Sequence, residues 1–547
     1  MSNPKPEQVK AGRVELVRRL TALAPKQRLD AMLEEVDGKA LVRSVPAEDV
    51  YAAIVDVGLA DAPEVVQLAS PEQFRTFVDL AAWSRDRMDP REVLRWLAAA
   101  RGDDDESFIG KVKLLDLEIL ELIFKQVAVI HDLEENPDPH VEGIPVESPE
   151  GRFLIELVGI EGHELASMRR LIHDLVTDDA FQFGRLLEAV RWELPTELEE
   201  SAHQFRSARL EDLGFPPLDE AAKLFAWVDP ASVAPKGAPA STALTAQSLP
   251  SGAVFVESAF RGLDAHERQV MEQEVRYLVN SALVAEGAEP GDPQALRRVS
   301  EQARDWLNLG LEHLSGGEPE KAADAVRDNT LKRVFQVGFS LTLQLKRQAE
   351  KLCGEPNARF GETLLAMDQE TVALQALMRK RPMKALKVPG AEPVPFRFKR
   401  ELSEMESMFA RVRLQRQLFN ALLGPSPAEV VARFGVKLSE LTPQRLFGAA
   451  VAWAEADEKL EVQPFSRTRL VELCGRLFTG ALGTEALSAS AGQRAVKVLG
   501  GDAAEVKTMV DRVLQSWLND FGRTWVRDTS VQAAKILTLP VEGEIPV

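Results

Sequence analysis

Prolines at recurring helix-starting positions constrain this chain more than any other feature. Pro25, Pro46, Pro71 and Pro90 each precede polar residues and then an apolar run. Proline has no N–H to lose in a first helical turn and cannot sit in a helix interior, so each one marks a start. In Ser70-Pro71-Glu72-Gln73 and Asp89-Pro90-Arg91-Glu92 the leading Ser or Asp can cap free N–H groups. Gln73 or Glu92 can then complete a capping box. The interval of about twenty to twenty-five residues leaves room for one helix and a turn. Apolar residues follow at helical spacing: Val50, Ile54 and Val57; Phe74, Phe77, Val78 and Ala81; Val93, Leu94 and Leu97. The pattern predicts an all-α chain opening on a helical-repeat-like array over 10–130, each helix burying its face by stacking on its neighbour. A plain bundle of well-capped helices is the alternative.

The rest of the chain divides at changes of composition. A polar hinge with several prolines (134–149) precedes Ser148-Pro149-Glu150-Gly151, which reads as a fresh start for a helical block over 148–228. Residues 229–252 are small residues and prolines with little charge, too poor in apolar surface to order themselves, and read as a flexible linker. Helical bundle domains follow. The first, 253–380, holds runs at His266 to Ala285, Pro293 to Leu314, Pro319 to Leu352 and Gly361 to Arg379. An irregular basic loop over 381–395 and a C-terminal helical domain over 396–540 complete the chain. Ser426-Pro427 and Thr442-Pro443 mark further starts, and Val506, Val510, Val513, Trp517 and Phe521 form one stripe with Trp525 a turn beyond. The single run that suits a strand is Gly252-Ala-Val-Phe-Val-Glu.

At 547 residues, with 45% hydrophobic and 28% charged, the chain is too large for one core and too apolar for disorder. A formal charge of −19 repels phosphate backbones and anionic lipid at long range, which disfavours nucleic acid and membrane surfaces as partners of the whole surface. Cys353 and Cys474 form no paired motif and suit a reducing compartment. The opening Met-Ser-Asn-Pro-Lys-Pro-Glu lacks a signal-peptide core. The most apolar stretch, Lys111 to Ile130, carries Asp116, Glu118, Glu121 and Lys125, too many charges for a membrane span. The expectation is a cytoplasmic protein.

The segment from Leu194 to Ala221, containing Pro-Thr-Glu-Leu-Glu-Glu-Ser-Ala-His-Gln-Phe-Arg and Leu-Gly-Phe-Pro-Pro, resembles the most recognisable block of a deltaproteobacterial-type family. That family is known only as a domain of unknown function. Arg333-Val-Phe-Gln-Val-Gly-Phe-Ser-Leu and Leu309-Gly-Leu-Glu-His-Leu are similar to it as well, so the resemblance covers most of the chain. It implies no activity and no catalytic residues. Separately, the capped short helices of the N-terminal part resemble the helical superhelix of magnesium-transporter intracellular domains and of flagellar-switch proteins. That implies scaffold geometry alone.

Four groups of residues carry candidate chemistry. His131-Asp132 and His173-Asp174, with His163, offer the imidazoles and carboxylates that an HD-type phosphohydrolase uses to hold divalent metal. The bland alternative is helix-end and surface residues, with His131 closing an apolar helix where its imidazolium favours the dipole. The loop from His131 to His140 gathers carboxylates and two imidazoles without the glycine and ligand order of an EF-hand, and also suits a solvated acidic loop. Arg206 and Arg209, one turn apart, could grip an anionic ligand or an acidic partner, or simply belong to a salt-bridged helix face. Arg379, Lys380, Arg381, Lys384, Lys387, Arg397, Lys399 and Arg400 reverse the local charge, with Phe396 and Phe398 among them as on single-strand-binding surfaces. The same loop could instead dock on the chain's own acidic surface. No phosphate loop, dinucleotide fingerprint, HExxH or GxSxG motif is present, so no motif signals a cofactor. The balance favours a helical scaffold with a protein partner over an enzyme.

Overall fold

Ser70 accepts the N–H of Gln73 while the Gln73 side chain accepts the N–H of Ser70, so the capping box read from the sequence is formed. At the next start Asp89 accepts from the Arg91 N–H, but Glu92 does not close the box. It turns instead to Arg95 at 2.7 Å and to the Trp96 indole at 3.2 Å. These contacts come from a computed structural model, which describes residues 25–34, 38–233, 253–356, 358–360, 363–386, 388, 390–423, 443–458, 467–479, 486–500 and 503–521.

The helices of the N-terminal part are α1 (Pro25–Glu34), α2 (Gly38–Ser44), α3 (Ala47–Val57), α4 (Pro63–Leu68), α5 (Pro71–Ala81), α6 (Pro90–Ala100), α7 (Asp105–Leu114) and α8 (Leu117–Val127). Each packs on the helix two further along. One layer runs α1, α3, α5, α7 and the other α2, α4, α6, α8. That stagger is the geometry of a stacked helical array, in which a short helix hides its apolar face only between neighbours. Phe74, Phe77, Val78, Val93, Leu94 and Leu97 are all buried within the packed array. Tyr51, Phe77 and Trp96 pack their rings there with centroids 5.5 to 6.3 Å apart.

The array is followed by a small sheet that helical periodicity did not foretell. A short hairpin, β1 (Trp83–Ser84) with β2 (Arg87–Met88), has already appeared between α5 and α6. After α8 come β3 (Ala128–Asp132), β4 (Val146–Glu147) and β5 (Phe153–Leu157), antiparallel in the order β3-β5-β4. The expected helix start at Ser148-Pro149 is therefore corrected. Ser148 lies in the β4–β5 turn, where its hydroxyl accepts the Phe153 N–H. Phe153 and Ile155 are buried on alternate positions, a period of two that competes with the helical reading of the same apolar run. His131 accordingly sits on a strand and closes no helix.

The chain returns to helix in α9 (Gly162–Trp192), α10 (Pro195–Asp212) and α11 (Leu218–Ala222). α9 breaks at Asp179, whose φ of −155° and ψ of 92° are not helical. The Asp179 carboxylate accepts the N–H groups of Phe181 and Gln182 and so caps the second half. α10 packs against α8 and extends the second layer. α12 (Val254–Gly262) replaces the strand expected at 252–257. The buried Asn308 side chain accepts the Phe255 N–H at 2.9 Å, a cap supplied from elsewhere in the chain.

The described chain forms two compact units, Met1–Ala226 with Ala265–Ala303, and Trp227–Asp264 with Arg304–Val547. α13 (Ala265–Glu286) packs on α11 in the first unit, and the division falls within α14 (Pro293–Leu314). The second unit continues with α15 (Ala322–Asp328), α16 (Leu331–Cys353), β6 (Arg359–Phe360), β7 (Thr363–Leu364), α17 (Asp368–Leu377), α18 (Lys399–Leu423), α19 (Pro443–Asp457), α20 (Arg467–Leu477), β8 (Phe478–Thr479), β9 (Ala486–Leu487), α21 (Gln493–Leu499) and α22 (Ala503–Phe521). The helix expected over Pro319 to Leu352 is thus interrupted; Thr330 caps α16 by accepting the Arg333 N–H. The helix expected over Gly361 to Arg379 is preceded by β7, which pairs with β6 as a two-stranded hairpin. Residues 234–252, Ser426-Pro427 and Trp525 lie outside the described residues.

Two apolar clusters organise the second unit. One gathers Leu309, Leu345, Phe396, Phe409 and Val412, the other Phe447, Trp453, Val510, Val513 and Trp517. The fold is predominantly all-α, with short strands at its turns. Among the described residues no helix is long and apolar enough to cross a membrane.

Candidate functional site

α6 ends Trp-Leu-Ala-Ala-Ala, and those small side chains leave space where a helix pair normally closes. Across from them α9 presents His163, Ser167, Arg170 and Asp174, spaced by three and four residues along one face. The result is a trough in the first unit. Its wider end has a volume of about 310 Å³ and is lined by Leu59, Pro63, Leu94, Arg95, Ala98, His163 and Ser167. A narrower end of about 90 Å³ shares Leu94, Ala98, His163 and Ser167 and adds Arg101, Phe108 and Arg170.

Local contacts hold the walls in place. Arg91 on α6 donates to the Gly159 carbonyl at 3.0 Å and ties down the turn that leads into α9. At the narrow end Arg101 pairs with the buried Asp174, reaches Asp105 at 3.2 Å and lies over the Phe108 ring. His163 Nδ1 sits 3.4 Å from the Ser167 hydroxyl. Arg170 is exposed and has no ion-pair partner among the described residues. One wall is therefore largely apolar, its Arg95 paired with Glu92 and its Arg101 with Asp174, while the other offers an imidazole, a hydroxyl and an uncompensated guanidinium, with Glu164 the acid on its rim.

The five residues considered for metal are dispersed. His131 Nε2 lies 2.9 Å from Glu156 across the β3–β5 pair. Asp132 is taken by Arg152 at 3.1 Å and Arg191 at 2.7 Å, and the hydrogen bonds and positive charge hold its carboxyl below the usual range against the effect of burial. Asp174 belongs to Arg101, while His173 is exposed on α9. Only His163 lines the trough directly. Among the described residues no three His, Cys, Asp or Glu side chains gather as a metal site would require.

Arg206 and Arg209 turn inward. Arg209 forks onto Asp79 at 2.7 and 2.8 Å and onto Asp116 at 2.7 and 3.1 Å. Arg206, 4% exposed, donates to the Asp79 carbonyl, lies 3.6 Å from Glu289 and covers the Trp83 ring. Burial raises the Asp79 carboxyl above its ordinary range although Arg209 opposes it. This is a closed ion network between α5, α8 and α10, with both guanidiniums committed to it.

The basic stretch is likewise engaged, within the second unit. Arg397 forks onto Asp305 at 2.6 and 3.1 Å, Lys384 pairs with Glu401, and the Lys399 N–H donates to Glu312 at 2.7 Å. Arg400 lies over Phe398, Arg379 is 3.7 Å from Glu392, Arg381 is half-buried and Lys380 is exposed. Lys387 lies outside the described residues. Phe396 and Phe398, read as possible stacking platforms, are buried.

Sequence reading reached His163 and Asp174 but missed Arg95, Ala98, Ser167 and Arg170. The signal available was the alanine run of α6 and the three-four spacing on α9, though nothing local says that those two faces meet. No curated protein and no solved structure matches the chain, so the likeness to magnesium-transporter helices gains no support. Residues 8–539 match the family of unknown function DUF6178, and the chain belongs to that family.

Proposed function

We propose that this chain is a helical scaffold of the cytoplasm that binds another protein, with the trough between α6 and α9 receiving an amphipathic, acidic segment of that partner. The observation that carries the reading is the asymmetry of the trough. Leu59, Pro63 and Leu94 offer apolar contact on one side, and His163, Ser167 and the unpaired Arg170 offer donors on the other. A segment with apolar anchors and carboxylates at helical spacing satisfies both walls, which is how helix-in-groove recognition works. The N-terminus of α9 adds the positive end of its dipole. Two free thiols, Cys353 and Cys474, support a reducing setting.

The test is a photo-crosslinking amino acid placed at Ala98 in the native host, with exposed Glu200 on α10 as the control position. The reading expects a discrete adduct at Ala98 that is absent at Glu200 and lost when Ser167→Trp fills the trough. An identical adduct pattern at both positions would refute it.

A further inference from the structure

A second cavity, of about 250 Å³, lies elsewhere in the first unit, between α3, the end of α5, the turn after α10, α13 and the start of α14. Leu80, Phe215, Val279 and Leu296 make most of its wall. A dry cavity of roughly 150 Å³ already admits benzene, so this one holds an aromatic ring or a short alkyl chain. Gly291 closes one side. A Cβ there would stand 2.0 Å from the Leu80 carbonyl oxygen and 2.7 Å from the Tyr51 hydroxyl, so the wall forms only with glycine.

Two polar features break the apolar lining, and both ask for a donor. Asn280 is 6% exposed, and its Nδ2 donates to the Leu213 carbonyl at 3.5 Å. That carbonyl can only accept, so the amide nitrogen must face it and Oδ1 is turned away. Oδ1 has no hydrogen bond among the described residues, so it is open to a donor from a bound molecule. At the rim stand Glu48 and Asp49, from the first turn of α3, together with Arg276. Arg276 is 3.1 Å from Glu48, whereas Asp49 has no ion pair among the described residues, so the rim keeps net negative charge. The Tyr51 hydroxyl, which donates to the Gly291 carbonyl at 3.1 Å, is held above its usual range by burial and by the carboxylates of Glu92 and Asp292.

We propose that this cavity binds a small primary ammonium ion on an apolar body, the body among Leu80, Phe215, Val279 and Leu296 and the ammonium hydrogens shared between the Asn280 amide oxygen and Asp49. An anion finds one guanidinium already held by Glu48 and two carboxylates beside it. A neutral apolar molecule offers no donor to the Asn280 oxygen. The inference is independent of the trough and of any protein partner.

Calorimetric titration of the full chain tests it, with phenethylammonium and hexylammonium as probes and 2-phenylethanol and 3-phenylpropionate as comparators. The ammonium ions are expected to bind about tenfold more tightly than the alcohol, and the carboxylate more weakly still. Asp49→Asn should cost the ammonium ions about tenfold and leave the alcohol unchanged. Ala52→Phe, which fills the cavity, should abolish binding of all the probes. Absence of saturable ammonium binding up to about 10 mM would overturn the proposal. So would a carboxylate that binds as tightly, or affinity that survives Ala52→Phe in a variant whose circular dichroism and melting match the parent.

Discussion

Replacing Gly338 by alanine puts the packing of the second unit to a sharp test. Helices normally gain from this exchange, by about 1 kcal/mol, because alanine has less backbone freedom to lose. Here α14 and α16 cross so closely that each glycine faces the other helix's backbone. A Cβ on Gly338 would lie 2.0 Å from the Trp306 carbonyl oxygen, and one on Gly310 would lie 2.1 Å from that of Val334. Ordinary contact needs more than another ångström, and neither obstacle is a side chain that can swing aside. The helices must part, and the edge-on packing of Trp306 against Phe335 and Phe339, at 5.5 Å each, opens with them. Overpacking costs about 1–3 kcal/mol and sometimes more, and rigid backbone on both sides places this case at the upper end. Net of the propensity gain, Gly338→Ala should destabilise by about 2 kcal/mol, a fall of roughly 4–8 °C in Tm by calorimetry. Gly475→Ala, on α20 with nothing within 4 Å of the added Cβ, should leave Tm unchanged or raise it. A Gly338→Ala protein as stable as the parent would refute the close crossing.

Three further outcomes follow from the charged interior. Arg209→Met strands Asp79 and Asp116 without their cation and should cost about 3–5 kcal/mol near neutral pH, read by urea denaturation. The loss should shrink in acid as Asp79 takes up a proton; an equal loss at all pH values would contradict the ion network. Burial and the neighbouring Glu118 and Glu193 push the Glu121 carboxyl up to about 7. Its folded form holds a proton that the unfolded form has released, so its contribution to stability falls as pH rises from about 4.5 through 7. Glu121→Gln should therefore be more stable than the parent at pH 8 and equal to it at pH 4, and a constant difference in melts at the two pH values would rule this out. Lys111, buried and donating to the Gln67 carbonyl at 2.8 Å, is pushed down to about 8, chiefly by burial. The unfolded chain binds that proton more readily, so its contribution to stability rises between about pH 8 and 10.5. Lys111→Met should flatten that segment of the pH-stability curve, and an unchanged slope would argue against the shift.

Much of the helical skeleton was legible because capping is local chemistry. Ser70, Pro71 and Gln73 lie within four residues, and no distant contact is needed to satisfy those N–H groups. Pro293 to Leu314 was bounded correctly for the same reason. The sheet was not legible, since Ala128–Asp132 continues an apolar helix without a break in composition and its partner strand lies beyond a long polar loop. The Val-Phe-Val of α12 reads like a strand, and the side chain that caps the helix there, Asn308, is distant in sequence. The charged stretches show the same limit more strongly. Arg206, Arg209 and Arg397 have the residue type and spacing of ligand-binding groups, and their partners Asp79, Asp116 and Asp305 are far away along the chain. Of the trough, the polar stripe on α9 could be read from spacing, whereas the void opposite it exists only once α6 and α9 are packed.

The affinity of the partner captured at Ala98 measures the central claim most directly. Titrated against the purified full chain, that partner should bind Ser167→Trp at least about tenfold more weakly than the parent. The Arg170→Glu protein should lose a similar amount, and the melting of both variants should be unchanged. Equal affinity for parent and both variants would show that the partner is held elsewhere and that the trough is not its site.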